Sequence, residues 1–155
     1  MSNEDVDREV YRKYSDDLVK FATGLVGPTD AADVVADAIA RVFASDRWRD
    51  VRNRRAYLFG SVLNEARMHH RTTMRRRARE ARAAEREGIV DVDVRPDVLE
   101  AIARLSLRQR AVVLLTYWQD LHERETAELL GISVGSVRRH LARAHDRLRG
   151  VIHDD

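Results

Sequence analysis

Residues 123–144 read ERETAELLGISVGSVRRHLARA, and this stretch decides the fold. It has the spacing of two short helices packed across a tight turn. Ala127 is small where two helices must approach closely, Gly131 supplies a turn position with positive φ, and Ile132 plugs the space between the helices. Ser133 is a natural N-cap for the second helix. In that helix Val137, Leu141, Ala144 and Leu148 recur on one face, which leaves Ser136, Arg138, Arg139 and Arg143 outward and His140 at the boundary. A solvated helical hairpin can carry arginines as well, but the small, turn and plug positions are satisfied jointly here. The pattern is that of a helix-turn-helix, whose second helix suits a DNA major groove.

Helical periodicity extends outward in both directions. Upstream, Leu99, Ile102 and Leu105, then Val112, Val113, Leu115 and Trp118, keep three- and four-residue steps. Nearer the N-terminus, Val6, Val10, Tyr14, Leu18, Phe21 and Leu25 form one apolar stripe over residues 5–26. Gly27-Pro28-Thr29 ends that helix, and Thr29 or Asp30 can cap the next, where Val34, Val35, Ala38, Ile39, Val42 and Phe43 form a second stripe. After a polar break at 45–52 that contains Trp48, a third helix begins near Asn53 or Arg54 and carries Tyr57, Leu58, Val62, Leu63 and Ala66. Three such stripes can bury one another. Past Met68 the apolar pattern fades into an arginine-rich, helix-prone run.

Between the two groups, residues 88–97 hold Asp91, Asp93, Pro96 and Asp97, and break the periodicity. They read as a flexible linker that spans up to roughly 35 Å when extended. The expected fold is therefore all-α: two small helical domains, a three-helix unit at 1–87 and a helix-turn-helix unit at 98–155, joined by the linker at 88–97.

Composition narrows the function. A chain of 155 residues with 44% hydrophobic content holds one ordinary domain or two very small ones. No cysteine is present, so disulfides and cysteine-ligated zinc are excluded. The longest apolar runs, such as Ala111 to Leu115, are too short to cross a bilayer, and the acidic start is unlike a signal peptide. A cytoplasmic protein without membrane insertion is expected. Lys13 and Lys20 are the only lysines; the arginine preference suits phosphate and guanine contacts, and equally a GC-rich coding bias. No metal site is expected: His69 and His70 are adjacent and point about 100° apart on a helix, while the zincin-like start at His122-Glu123 fails at Thr126. Neither a phosphate-binding glycine loop nor a nucleophile motif occurs, so no catalytic residue and no cofactor is expected.

Two further stretches carry a resemblance. Residues 105–121, LSLRQRAVVLLTYWQDL, running into the helix-turn-helix, resemble region 4 of extracytoplasmic-function sigma factors of bacterial RNA polymerase. Residues 30–43, DAADVVADAIARVF, with 51–66, VRNRRAYLFGSVLNEA, resemble region 2 of the same family. Order and spacing both fit, and the resemblance covers nearly the whole chain apart from its ends and the linker.

The resemblance implies a non-enzymatic subunit that directs core polymerase to promoters and helps to open them. Region 2 of the family docks on the β′ coiled coil through the helix matched by 33–43, which implies Asp33, Asp37 and Arg41 as core contacts. Ala36 and Ile39 depart from the glutamine and phenylalanine frequent in the family. The loop and helix that follow trap unstacked bases of the minus-ten element, and the matching positions are Asn53, Arg54, Arg55, Tyr57, Asn64, Arg67 and Arg71; cations for phosphates and polar groups for bases are what an opened strand requires. Trp48 and Tyr57 are equally readable as packing residues. Region 4 reads the minus-thirty-five duplex and touches the β flap, which implies Ser136, Arg138, Arg139, His140 and Arg143. Arg138-Arg139-His140 stands where the family often has a basic residue, serine and arginine. Family members are also held by anti-sigma factors, so such a partner is expected. Two other readings remain at this point: a free-standing helix-turn-helix regulator, and a helical adaptor with no DNA role.

Overall fold

A computed structural model describes residues 2–80 and 96–152. Among these residues every regular element is helical: α1 (Asn3–Val26), α2 (Ala31–Ala44), α3 (Arg54–Glu80), α4 (Pro96–Ala103), α5 (Leu107–Val113), α6 (Glu123–Leu130) and α7 (Val134–Ile152), with a 3-10 turn at Asp46–Asp50 and a π-helical segment at Leu114–Trp118. The all-α expectation holds. The proposed linker residues 88–95 lie outside the described residues. Pro96 and Asp97, read as linker from composition, instead open α4. Proline suits that place because its missing N–H is one the first helical turn leaves unpaired anyway.

Local chemistry sets the helix ends. Ser2 and Asp5 form a reciprocal capping box on α1, and Gly27 takes φ 90° after it, a conformation that side chains disfavour. Asp30 precedes α2 but makes no side-chain cap; its carboxylate faces His69 Nε2 at 3.0 Å instead. Asn53 Oδ1 accepts the Ala56 N–H at 3.0 Å and caps α3. Ser106 and Gln109 repeat the reciprocal box at α5.

Helices α1, α2 and α3 bury their stripes together, with Leu18, Phe21, Leu25, Val34, Val35 and Val62 all nearly inaccessible. Phe59, absent from the predicted stripe, is fully buried and meets Phe21 edge to face at 5.1 Å. Leu58 and Phe59 are adjacent, so α3 is covered on two sides. The second cover comes from the other half of the chain: Ala111, Leu114, Leu115 and Leu121 belong to the same core cluster as Phe21 and Leu25. Val112 and Val113 face the opposite way, toward Val137 and Ala144 of α7. All five residues of the run Ala111–Leu115 are thus buried, as in a helix covered all round.

Three contacts fix this arrangement. A Cβ at Gly24 would stand 2.5 Å from the Leu114 methyl carbons, so the missing side chain is what lets Leu114 seat on α1. Arg110 donates to the carbonyls of Leu25 at 2.6 Å and Ala103 at 2.6 Å, which satisfies the C-terminal ends of α1 and α4. Arg55 of α3 reaches Gln119 Oε1 at 3.4 Å. The two domains expected from the sequence pack against each other, and part of the second contributes to the core of the first.

Candidate nucleic-acid interface

The helix-turn-helix forms as its residues dictate. Gly131 ends α6 in the left-handed conformation, φ 66°, Ala127 is buried against Val137 and Val112, and Ile132 packs on the same cluster. Ser133 Oγ accepts the Ser136 N–H at 3.0 Å and so caps α7. Arg138, Arg139 and Arg143 are exposed, while Ser136 and His140 are half-buried. The arginines differ in freedom. Arg138 Nε is committed to Glu123 Oε2 at 2.8 Å, and Arg139 donates to Ser136 Oγ at 3.0 Å. From the sequence Glu123 was weighed only in the failed zincin-like start, although its place one helix before an arginine-rich face was a visible signal. Burial, followed by Arg108, Arg143 and Arg139, pulls the His140 pKa below the ordinary histidine value, so the ring is neutral at neutral pH.

The residues expected to meet opened DNA occupy the N-terminal half of α3 and the turn before it. Asn53, Tyr57 and Asn64 line one cleft of about 430 Å³, together with Gly60 and Ser61. Arg54 lies over the Trp48 ring at 5.2 Å. Arg55 points elsewhere, lying over Phe59 at 5.7 Å and reaching Gln119. Arg67 donates to Asn64 Oδ1 at 3.5 Å, and Arg71 is exposed farther along the helix. The Arg67 pKa is drawn down by burial first and then by Arg108 and Arg71. Arg108 of α5 thus disfavours the charged forms of both Arg67 and His140, an influence the sequence reading did not anticipate. Trp48 is a core residue: it is 3% exposed and its Nε1 donates to Asp7 Oδ1 at 2.7 Å.

On α2, Asp33 and Asp37 are exposed one turn apart. Arg41 is turned toward α3, with its Nε 2.9 Å from Glu65 Oε1. Glu65 is itself buried. Trp118, expected in the apolar stripe of the second unit, is 47% exposed beside an exposed Tyr117. No helix of the described residues is long and apolar enough to cross a membrane.

A three-helix unit with a polar cleft, packed on a second unit that presents an arginine-bearing recognition helix, defines a two-region DNA-binding protein. The family profile "Sigma-70 region 2" matches residues 10–76 and "Sigma-70, region 4" matches 95–148. The chain is 33% identical over 151 residues to the RNA polymerase sigma-E factor of Streptomyces antibioticus, a match covering 91% of this chain and 81% of that one. The sigma-E factor of Streptomyces coelicolor is 31% identical over 151 residues, covering 91% and 82%. The solved structure of CnrH in complex with the cytosolic domain of CnrY superposes with a TM-score of 0.72 at 25% identity, covering 99% of this chain and 92% of that one. The sigma factor RpoE of Bartonella quintana, in complex with the anti-sigma factor NepR, shares the fold at TM-score 0.69 and 23% identity, with 96% and 97% covered. The chain belongs to the sigma-70 family of RNA polymerase sigma factors, in the short extracytoplasmic-function form built from regions 2 and 4. It is a transcription initiation factor that binds RNA polymerase and promoter DNA, which disposes of the free-standing regulator and the adaptor.

Proposed function

We propose that residues 1–87 hold core polymerase and the opened minus-ten strand, that 98–155 read the minus-thirty-five duplex, and that 88–97 connect them. The observation that carries this division is the α3 cleft, where Asn53, Tyr57 and Asn64 converge beside arginines. Amide and phenol groups hydrogen-bond an unstacked base, the tyrosine ring offers a stacking face, and Arg54, Arg67 and Arg71 neutralise phosphates. Arg55 joins them when released from Gln119. On α7, Arg139 and Arg143 reach base edges or phosphates in the major groove, Ser136 and His140 lie beneath them, and Arg138 is oriented by Glu123.

Asp33, Asp37 and Arg41 form the exposed edge that meets the β′ coiled coil, Arg41 while also pairing with Glu65 of α3, and region 4 also contacts the β flap. The bond-making chemistry belongs to the polymerase, so the chain needs no catalytic residue or cofactor and works in the cytoplasm. An anti-sigma factor restrains it, as the partners of the two similar solved structures suggest.

Run-off transcription of genomic fragments tests the reading. Discrete transcripts are expected only when chain and core polymerase are both present, and Tyr57→Ala with Asn64→Ala should lower open-complex formation while core binding is kept. A chain that footprints DNA alone and gives no transcripts with core would refute it.

A further inference from the structure

Arg54 differs from the other cations of the recognition surfaces in how it is held. Arg41, Arg67, Arg138 and Arg139 each spend a guanidinium N–H on an oxygen of this chain. Arg54 instead lies over the Trp48 ring, 5.2 Å from its centroid, and among the described residues it pairs with no carboxylate. A ring face attracts a cation without taking up a hydrogen bond, so the N–H groups of Arg54 remain for phosphate oxygens.

The ring is itself held from a distant part of the chain. Its Nε1 donates at 2.7 Å to Oδ1 of Asp7, near the start of α1, a length usual for a bond to an ionised acceptor. A carboxylate at the N–H edge polarises the indole and makes its face a better seat for a cation. Phe43 closes on the indole with ring centroids 5.5 Å apart, and Tyr57 of the cleft lies against it at 6.0 Å. One indole therefore supports both Arg54 and Tyr57, and Asp7 fixes that indole. A direct Asp7–Arg54 ion pair would have consumed the donors of Arg54; interposing the indole leaves them unspent.

We propose that Asp7 and Trp48 are positioning residues for promoter opening: the carboxylate fixes the indole, and the indole holds Arg54 and Tyr57 at the cleft with their strand-binding groups unoccupied. This rests on the cleft being the minus-ten strand site. Neither Asp7 nor Trp48 touches DNA. The start of α1 takes part in strand capture through the Asp46–Asp50 turn that carries the indole.

The test uses a genomic fragment from which the unaltered chain and core polymerase give a run-off transcript. Permanganate reactivity of unpaired thymines reports the rate of opening, and fluorescence anisotropy of the labelled chain reports its affinity for core. Every variant is compared at a temperature where circular dichroism shows it folded. Asp7→Ala is expected to slow opening about tenfold with core affinity unchanged. Asp7→Asn, whose amide oxygen still accepts the indole N–H, should recover opening to within about threefold of the unaltered chain. Added to Arg54→Ala with Tyr57→Ala, Asp7→Ala should slow opening no further, because the side chains it positions are gone. Losses that add in full, or a parallel fall in core affinity, overturn the positioning role and leave Asp7 a stability residue. Normal opening by Asp7→Ala beside slow opening by the Arg54→Ala, Tyr57→Ala chain overturns the positioning role while the strand assignment survives. If the Arg54→Ala, Tyr57→Ala chain itself opens the promoter at the unaltered rate, the strand assignment falls and the positioning role falls with it.

Discussion

Trp48 shows how far one residue's role depends on its neighbours. By type and place it reads equally as a platform for a flipped base or as a packing residue. The structure assigns it to the core because Asp7, 41 positions earlier, accepts its indole N–H, a pairing no local spacing reveals. Trp48→Phe is expected to lower stability by about 1.5–3 kcal/mol, the range for a hydrogen bond to a charged group, as read from urea unfolding. Arg139 is the opposite case, exposed and legible from helical phase alone. Arg139→Ala should weaken binding to a cognate minus-thirty-five duplex by about 1–3 kcal/mol if the side chain grips a base, measured by fluorescence anisotropy. A loss of the same size on unrelated duplexes would reassign it to phosphate. Asn53 and Asn64 were also legible by type, yet Asn53 does structural work first, as the cap of α3.

The helices themselves were largely written in the sequence, since apolar residues at three- and four-residue steps and small polar caps state where a helix runs and stops. The departures have local causes. Trp118 was assigned inward on a 3.6-residue period, but Leu114–Trp118 is π-helical, and Gln119 N–H bonds to the Leu114 carbonyl at 3.2 Å. The wider turn shifts the phase and leaves Trp118 outside. The start of α4 was hidden because Pro96 and Asp97 serve equally as linker residues and as a first helical turn. The turn between α6 and α7 needed no correction, and it yields a clean expectation. Gly131→Ala places a side chain at φ 66° with nothing near its Cβ, so it should cost about 1–2 kcal/mol through backbone strain alone, with the thermal midpoint lowered and the α7 contacts unaltered.

At the scale of the molecule, the two helical domains read from the sequence are both present, and what the sequence left open is that they pack on each other through a common cluster of buried residues. The signal lay in Ala111–Leu115: five consecutive buried apolar residues on a helix cannot all face a single neighbour. That run was read for its shortness as a membrane segment and for the stripe of Val112, Val113 and Leu115, and not for what covers its other faces. Periodicity detects the stripe of each helix but not which stripes meet across a break in the chain, and the place of Glu128 and Leu129 in the lining of the α3 cleft follows from that meeting. If the core is shared, unfolding is cooperative. In a Trp118→Phe chain the remaining tryptophan reports region 2 while circular dichroism reports all helices, and the two signals should change together with denaturant. Two separated transitions would mean independent units. Leu114→Ala, which empties the seat on Gly24, should cost about 2–5 kcal/mol and begin to split those transitions.

The pairing of Arg41 with Glu65 bears on how this protein is captured by its enzyme. Glu65 is almost enclosed, and the guanidinium beside it is its cation. A polymerase surface that drew Arg41 outward for its own carboxylates would leave Glu65 facing an apolar interior without compensation, and would loosen the hold of α2 on α3 just when promoter strands must be gripped. On the proposal that α2 is the docking helix, capture is biased toward Asp33 and Asp37, and a charge-swapped partner built to recruit Arg41 would select a weakened bundle.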